Sequence, residues 1–303
     1  EAEHPKPTNK MLSMPDQPTK KEVDDHNRTH AQFRSWCGSC VEGKTKEDQH
    51  RRLKEEEEAK MAKTPVMGLD YLFLKDTEYA VRHGAEDPEY ELTVLNVVCR
   101  KSGGGGCTVV RQKGADDPYA VAFTAACVQE LGWTTVVMVC DPENSTQQIV
   151  EEVAKTRNHP TIARESQKGQ KGSLGFVEGS HTWTEAQVRT LILGVRKRYP
   201  GVPVFLHSDV TTWLVRHVGW LRFKFKIGKD GKTPHNRLFG KDYGGQILEF
   251  GECAEFKIAG KQDKAAKRTQ RGVWVGRSMT DDAHLHLTHA GLRKARTVVC
   301  LPE

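Results

Sequence analysis

The stretch that most constrains the fold is Trp133–Val150, WTTVVMVCDPENSTQQIV. An apolar, β-branched run from Thr134 to Cys140 stops at Asp141. Pro142 follows, and Asn144 or Ser145 can cap a helix carrying Ile149, Val150 and Val153 on one face. A buried strand that feeds a helix points to an α/β sheet, with a carboxylate at the strand's C-terminal edge. Ligands and chemistry in such sheets gather at that edge. A lone Asp there serves equally well as a turn former or cap, so its meaning depends on whether other acids converge on it.

A second acid interrupts another apolar run. Val66–Leu74 (VMGLDYLFL) reads as a strand with Asp70 in its middle, a costly position unless the carboxylate is paired or binds a cation. Residues 75–90 are polar and read as a loop. Glu91–Cys99 and Cys107–Arg111 read as a hairpin around the Lys101–Gly106 turn, whose four glycines resemble a surface insertion and lack the spacing of a phosphate loop. Asp117-Pro118 caps a helix that ends at Gly132, and a helix over 145–157 follows the strand ending at Asp141. A short strand falls within 159–164. Residues 165–175 read as a basic loop, and a long helix is expected from Phe176 to about Tyr199 with Val188, Leu191, Ile192 and Val195 as its apolar stripe. Glu178 lies near the start of that helix, at the boundary of its buried face. Another helix spans Ser208–Lys226, with Trp213, Leu214, Val218 and Leu221 facing the core.

The two ends differ from this pattern. Residues 1–25 read as a disordered tail, with Asp24 or Asp25 available as an N-cap ahead of His26. His26, His30, Cys37 and Cys40 then fall within fifteen residues: two histidines four apart share a helix face, and Cys-x-x-Cys lets two thiolates bind one metal. A closed Zn²⁺ site is the natural reading of this 26–42 element, with Phe33 and Trp36 packing it; the bland alternative is surface histidines beside a reduced thiol pair. Residues 43–64 (including RRLKEEEEAK) have no apolar stripe and read as a charged helical linker. A core spans 65–228. Residues 229–303 read as a small β-rich module, in which His284, His286 and His289 fit strand alternation on an exposed surface as well as they fit metal binding.

Lys and Arg outnumber Asp and Glu by 46 to 40, giving a net charge of +6. That excess permits a polyanionic partner, and Lys168, Lys171, Lys224, Lys226 and Lys229 are the candidate phosphate contacts. Cys99, Cys127 and Cys140 lie in apolar or helical runs and read as reduced core residues, which suits a reducing compartment. No apolar run approaches the roughly 20 residues that span a bilayer, so no membrane partner is expected. The chain reads as a piece of something longer.

In order, HNRTHAQFRSWCGSC, GLDYLFL, VVMVCDPENS, SLGFVEGSHTWTEAQVRTL, GKDGKTPHNRLFG with LEFGE, and RGVWVGR resemble the integrase region of copia-type retrotransposon polyproteins, most closely the divergent dinoflagellate type. The resemblance covers about residues 26–300. It implies an RNase H-like integrase catalytic core between an N-terminal His-Cys zinc element and a β-rich C-terminal module. It also implies that Asp70, Asp141 and Glu178 bind two Mg²⁺ or Mn²⁺ ions and transfer element DNA 3′-ends into target DNA. Homo-oligomers, and a nuclear location or a cytoplasmic particle, are further implications. Leu174-Gly175 stands where the family has Asn-Gly ahead of the Glu, and the His30–Cys37 gap is short. These departures leave a second reading open: a catalytically decayed copy that still binds zinc and DNA.

Overall fold

The computed structural model describes residues 17–45, 64–165, 174–260 and 263–300. The central sheet contains β1 (Val66–Leu74), β2 (Leu92–Cys99), β3 (Gly105–Val109), β4 (Val136–Cys140) and β5 (Thr161–Glu165) in the order β3-β2-β1-β4-β5. The β1–β2–β3 meander is antiparallel, and β4 and β5 join β1 in parallel. Two short helices precede the sheet, α1 (Lys20–Asn27) and α2 (Gly38–Lys44). Helix α3 (Thr77–Arg82) lies between β1 and β2. Then come α4 (Pro118–Glu130), α5 (Asn144–Thr156), α6 (Gly175–Arg198), α7 (Asp209–Phe225) and α8 (Pro234–Phe239). This is the RNase H-like α/β layout that the resemblance implies. Among the described residues no helix is long and apolar enough to cross a membrane.

Strand alternation distributes the layers. Met67, Leu69 and Tyr71 of β1, with Val136, Met138 and Cys140 of β4, share one core with Ala120, Phe123 and Cys127 of α4 and Ile149, Val150 and Val153 of α5. The opposite face of β1 and β2 carries Leu72, Leu74, Leu92 and Val94. These pack against the expected α6 stripe of Val188, Leu191, Ile192 and Val195. Nearer the start of α6, Val177 packs with Val98, Val137 and Val139.

The structure departs from the sequence reading in places with identifiable causes. Residues 20–25 are helical, because Thr19 and Glu22 form a capping box ahead of Asp24 and Asp25. Gly43 and Lys44 belong to α2, whereas the rest of the charged run (46–63) lies outside the described residues, as do residues 1–16 of the tail. The 75–90 loop contains α3, which buries no residue and so has no apolar stripe to detect. It is anchored by Asp76 paired with Arg196 at 2.8 Å, with the guanidinium lying over the Tyr79 ring. Helix α8 has Thr233 as N-cap and Pro234 in its first turn, the same signal that marks α4.

The glycine run is not a surface insertion. Gly104, Gly105 and Gly106 are buried, and β3 begins at Gly105. A Cβ on Gly106 would press on Phe123 and Cys127 of α4, and one on Gly104 on Leu131 and Phe223. Across the interface, a Cβ on Gly219 of α7 would overlap the backbone nitrogen of Cys107. Gly219 thus lets α7 lie directly on the β3 backbone, while Gly106 makes room for α4 on the other face.

A second sheet holds β6 (Cys253–Lys257), β7 (Thr269–Arg277), β8 (His284–Thr288), β9 (Gly291–Ala295) and β10 (Val298–Cys300), in the order β10-β6-β7-β8-β9. His217 of α7 fastens it to the core, stacked on Trp220 and Phe250 with Trp274 of β7 edge-on. His284 and His286 are buried rather than on the surface. His284 Nδ1 accepts from Trp274 Nε1 at 3.0 Å and His286 stacks on Phe256, while His289 is exposed. His284 and His286, two apart on β8, share one face, where Trp274 and Phe256 cover them.

Alanine is worth about 1 kcal/mol more than glycine inside a helix, yet at Gly219 it meets backbone that cannot move aside. Gly219→Ala is therefore expected to destabilise by about 1–3 kcal/mol, as overpacking does. A lower urea midpoint at unchanged slope checks this, and an unchanged or higher midpoint would contradict it.

Candidate metal centres

The first centre is built from α1, the turn after it and α2. His26 closes α1 one turn before His30, which adopts a left-handed φ of 47° and so turns its ring back toward His26. Cys37 and Cys40 stand at the start of α2, and all four residues are buried. Their ligand atoms lie within 4.8 Å of one another. His26 Nε2 is 3.2 Å from His30 Nδ1 and 3.3 Å from Cys40 Sγ; His30 Nδ1 is 3.6 Å from Cys37 Sγ and 3.7 Å from Cys40 Sγ. Zinc bonds of about 2.0–2.1 Å to nitrogen and 2.3 Å to sulfur give tetrahedral edges of about 3.3 Å (N to N), 3.6 Å (N to S) and 3.8 Å (S to S). The four atoms fit a tetrahedral Zn²⁺ centre.

The protonation states agree with that fit. Burial pushes His26 down to about 4 and His30 down to about 3, with the Lys44 charge assisting, so both imidazoles are neutral and ready to ligate. Burial also pushes the Cys40 thiol up to about 11, so metal binding at neutral pH must displace a proton. Trp36 packs edge-on against His26, whereas Phe33, the other expected packing residue, is 50% exposed.

The second centre is the carboxylate edge of the core. Register places Met67 beside Met138 and Gly68 beside Val139. Continued two residues further, it sets Asp70 beside Asp141, immediately after β4. Asp70 shares a strand face with Gly68, Leu72 and Leu74, the face that α6 covers. Gly68 is essential to that cover: a Cβ there would collide with Val177 and Phe176, so the first turn of α6 sits directly on the strand. Glu178 is in that turn and exposed. All three acids are thus on one side of the sheet. They are not drawn together as the His-Cys four are, the one such group of three or more potential ligands among the described residues.

Burial pushes Asp70 up to about 6. The Tyr71 N–H, donating to Asp70 Oδ1 at 2.8 Å, offsets part of this, while Asp141 and Glu143 add to it and Lys113 opposes it. Lys113 also pairs with Glu143 at 2.8 Å. Negative charge therefore gathers around Asp70, where carboxylate oxygens could stabilise a hard cation.

Sequence reasoning missed Gly68, Glu143 and Asn96. Asn96 is the cross-strand partner of Asp70 and is fully buried; its Nδ2 donates to Ser180 Oγ and its Oδ1 accepts from Arg222 Nη1 at 2.7 Å. A polar residue inside the run ELTVLNVVC carries the same signal that marked Asp70.

The expected phosphate contacts divide. Lys224 is buried and faces Glu130 at 3.4 Å, so it serves the α7–α4 packing and is not a surface contact. Lys226 lies 5.3 Å over the Trp183 ring, Lys229 is exposed, and Lys168 and Lys171 lie outside the described residues.

No protein-family model matches the chain, and no curated protein matches it. Among solved structures, a chain of the simian T-cell lymphotropic virus intasome in complex with PP2A regulatory subunit B56 gamma is similar at 12% identity, over 78% of this chain and 82% of that one (TM-score 0.36). The HTLV-2 integrase catalytic core domain in complex with magnesium is similar at 12% identity, over 57% of this chain and 95% of that one (TM-score 0.38). The catalytic core domain of BIV integrase is similar at 14% identity, over 58% and 93% (TM-score 0.37).

Purified protein should hold one zinc per chain by elemental analysis, and Cys40→Ser should lose it with a lower melting temperature; metal-free protein of unchanged stability would contradict the assignment. The Asp70 carboxyl is raised above its unfolded value near 4, so its contribution to stability is present below about pH 4 and lost as pH rises through about 6. Asp70→Asn should then stabilise protein free of divalent cations at pH 7.5 by about 1 kcal/mol, discounted for partial exposure. Denaturant melts at pH 4 and 7.5 check both sign and window.

Proposed function

We propose that the chain is a retrotransposon integrase of the copia type, a polynucleotidyl transferase that joins element DNA 3′-ends to target DNA. The observation that carries this reading is the buried Asp70 carboxyl on β1, raised by burial and by the charge of Asp141 just past the end of the parallel strand β4, with the Glu178 turn seated on Gly68 of the same strand. Asp70, Asp141 and Glu178 would hold two Mg²⁺ or Mn²⁺ ions, whose charge would favour activation of an attacking hydroxyl and departure of the 3′-oxygen.

The chain's own residues set up that chemistry. Asp70 stays fixed because Tyr71 N–H binds one of its oxygens and β1 is held on both sides by partner strands. Asn96 ties β2 beneath Asp70 to Ser180, two residues beyond Glu178, and to Arg222 of α7. Lys226 and Lys229, at the end of α7, lie where a phosphate backbone could be met, with Lys168 and Lys171 as the other candidates. DNA, both element ends and target duplex, is the proposed partner, within a homo-oligomer acting in the nucleus or in a cytoplasmic particle.

The exposed Glu178 and the Leu174-Gly175 ahead of it favour a second reading, a catalytically decayed protein that binds zinc and DNA. One experiment separates the two. Strand transfer of a labelled element-end duplex in Mg²⁺ or Mn²⁺ should give product with the unaltered protein and none with Asp70→Asn, Asp141→Asn or Glu178→Gln, while DNA affinity persists. Lys229→Glu should weaken binding across sequences and lower its salt slope by about one. No product from the unaltered protein beside an active control enzyme supports the decayed reading. Product that survives loss of all three acids refutes the proposed site.

A further inference from the structure

The four-ligand element is joined to the core by contacts that reach the metal-binding turn itself. Gln187 of α6 is fully buried, and its Nε2 donates to the Thr29 carbonyl at 2.6 Å, in the peptide just ahead of His30. The next carbonyl, of His30, accepts from Lys44 Nζ. The left-handed turn that aims His30 Nδ1 inward is therefore gripped from two sides. On the far side of the element, Gly43 sits so closely on Thr190 of α6 that a Cβ would overlap its hydroxyl and press on its backbone. Arg189 Nε donates to the Gly43 carbonyl at 3.3 Å, Lys197 pairs with Glu42 at 3.2 Å, and Gln32 Nε2 donates to the Phe225 carbonyl at 3.3 Å.

We propose that zinc binding clamps the His-Cys element onto α6, and that Gln187 is the positioning residue through which the occupied site steadies the helix that carries Glu178. Gln187 stands nine residues beyond Glu178, two and a half helical turns or about 13 Å along the axis, and on the opposite side of the helix. The element thus holds α6 from behind and leaves the acid-bearing side open. Without metal, nothing covalent joins the His26–His30 turn to Cys37 and Cys40, and the turn that Gln187 grips loses its shape. Binding free energies are reciprocal: if zinc tightens α6, then removing the α6 contact must weaken zinc.

The role of Glu178 in this proposal rests on the integrase reading, whereas the coupling does not, and the test reads the coupling alone. Gln187→Met keeps the side chain's length and removes only its donor; its other polar atom, Oε1, has no hydrogen-bond partner to lose. Zinc affinity is measured by competition with a chromophoric chelator on the whole chain, and amide exchange along α6 is followed with and without zinc. The proposal expects Gln187→Met to weaken zinc about fivefold, the factor that one net hydrogen bond of about 1 kcal/mol supplies. It also expects zinc removal to speed amide exchange in the first three turns of α6 in the unaltered protein, and to do so less in the variant. Gly43→Ala should act in the same direction. Unchanged zinc affinity in a cooperatively folded Gln187→Met, or α6 exchange indifferent to zinc, overturns the clamp. Loss of strand transfer with both couplings intact would count against the integrase reading and leave the clamp standing.

Discussion

A carboxylate in the middle of the central strand is the interaction around which the core is arranged. Burial raises the cost of ionising Asp70, and one backbone N–H with the Lys113 charge only partly offsets it. An apolar residue at that position would serve stability better. The neighbouring features all keep the carboxylate accessible from one side. β1 runs on past the end of β4, Gly68 admits the first turn of α6, and Asn96 directs its amide to Ser180 and Arg222.

The two centres use chemically distinct donors, and that keeps them apart. Two imidazoles and two thiols suit zinc, while carboxylate oxygens suit hard divalent ions that retain water. Both contact α6, which presents Glu178 in its first turn and Gln187 and Thr190 to the His-Cys element further along. One helix of 24 residues is thus the common support of both.

Much of this was legible in the residues, because burial leaves a compositional trace. The β-branched run ending at Asp141, the Asp inside VMGLDYLFL and the α6 stripe each reflect the need to cover a sheet. Ligand spacing likewise marked His26, His30, Cys37 and Cys40 before their atoms could be measured. Features that periodicity does not encode escaped. Helix α3 buries nothing and is held by one cation against Tyr79; the glycines of β3 look like a loop until α4 and β2 are seen packed against them. Lys224 reads as a surface cation in a basic stretch, and only tertiary packing brings it to Glu130. Gly68 has meaning only against Val177 and Phe176, more than a hundred residues later.

The two centres also differ in how closely their ligand atoms gather. The His-Cys atoms stand near the edges of a tetrahedron. Carboxylates repel: two unit charges 4 Å apart oppose each other by about 4 kcal/mol at a protein-like effective dielectric. The charge of Asp141 adds to the cost of ionising Asp70 on the neighbouring strand, and the third acid is carried in the first turn of α6. Magnesium gives up its water reluctantly and is commonly held by one or two carboxylates together with substrate phosphates. On the proposed function, Asp70 and Asp141 with Glu178 on a separate helix suit such an ion, which substrate phosphates would help to hold.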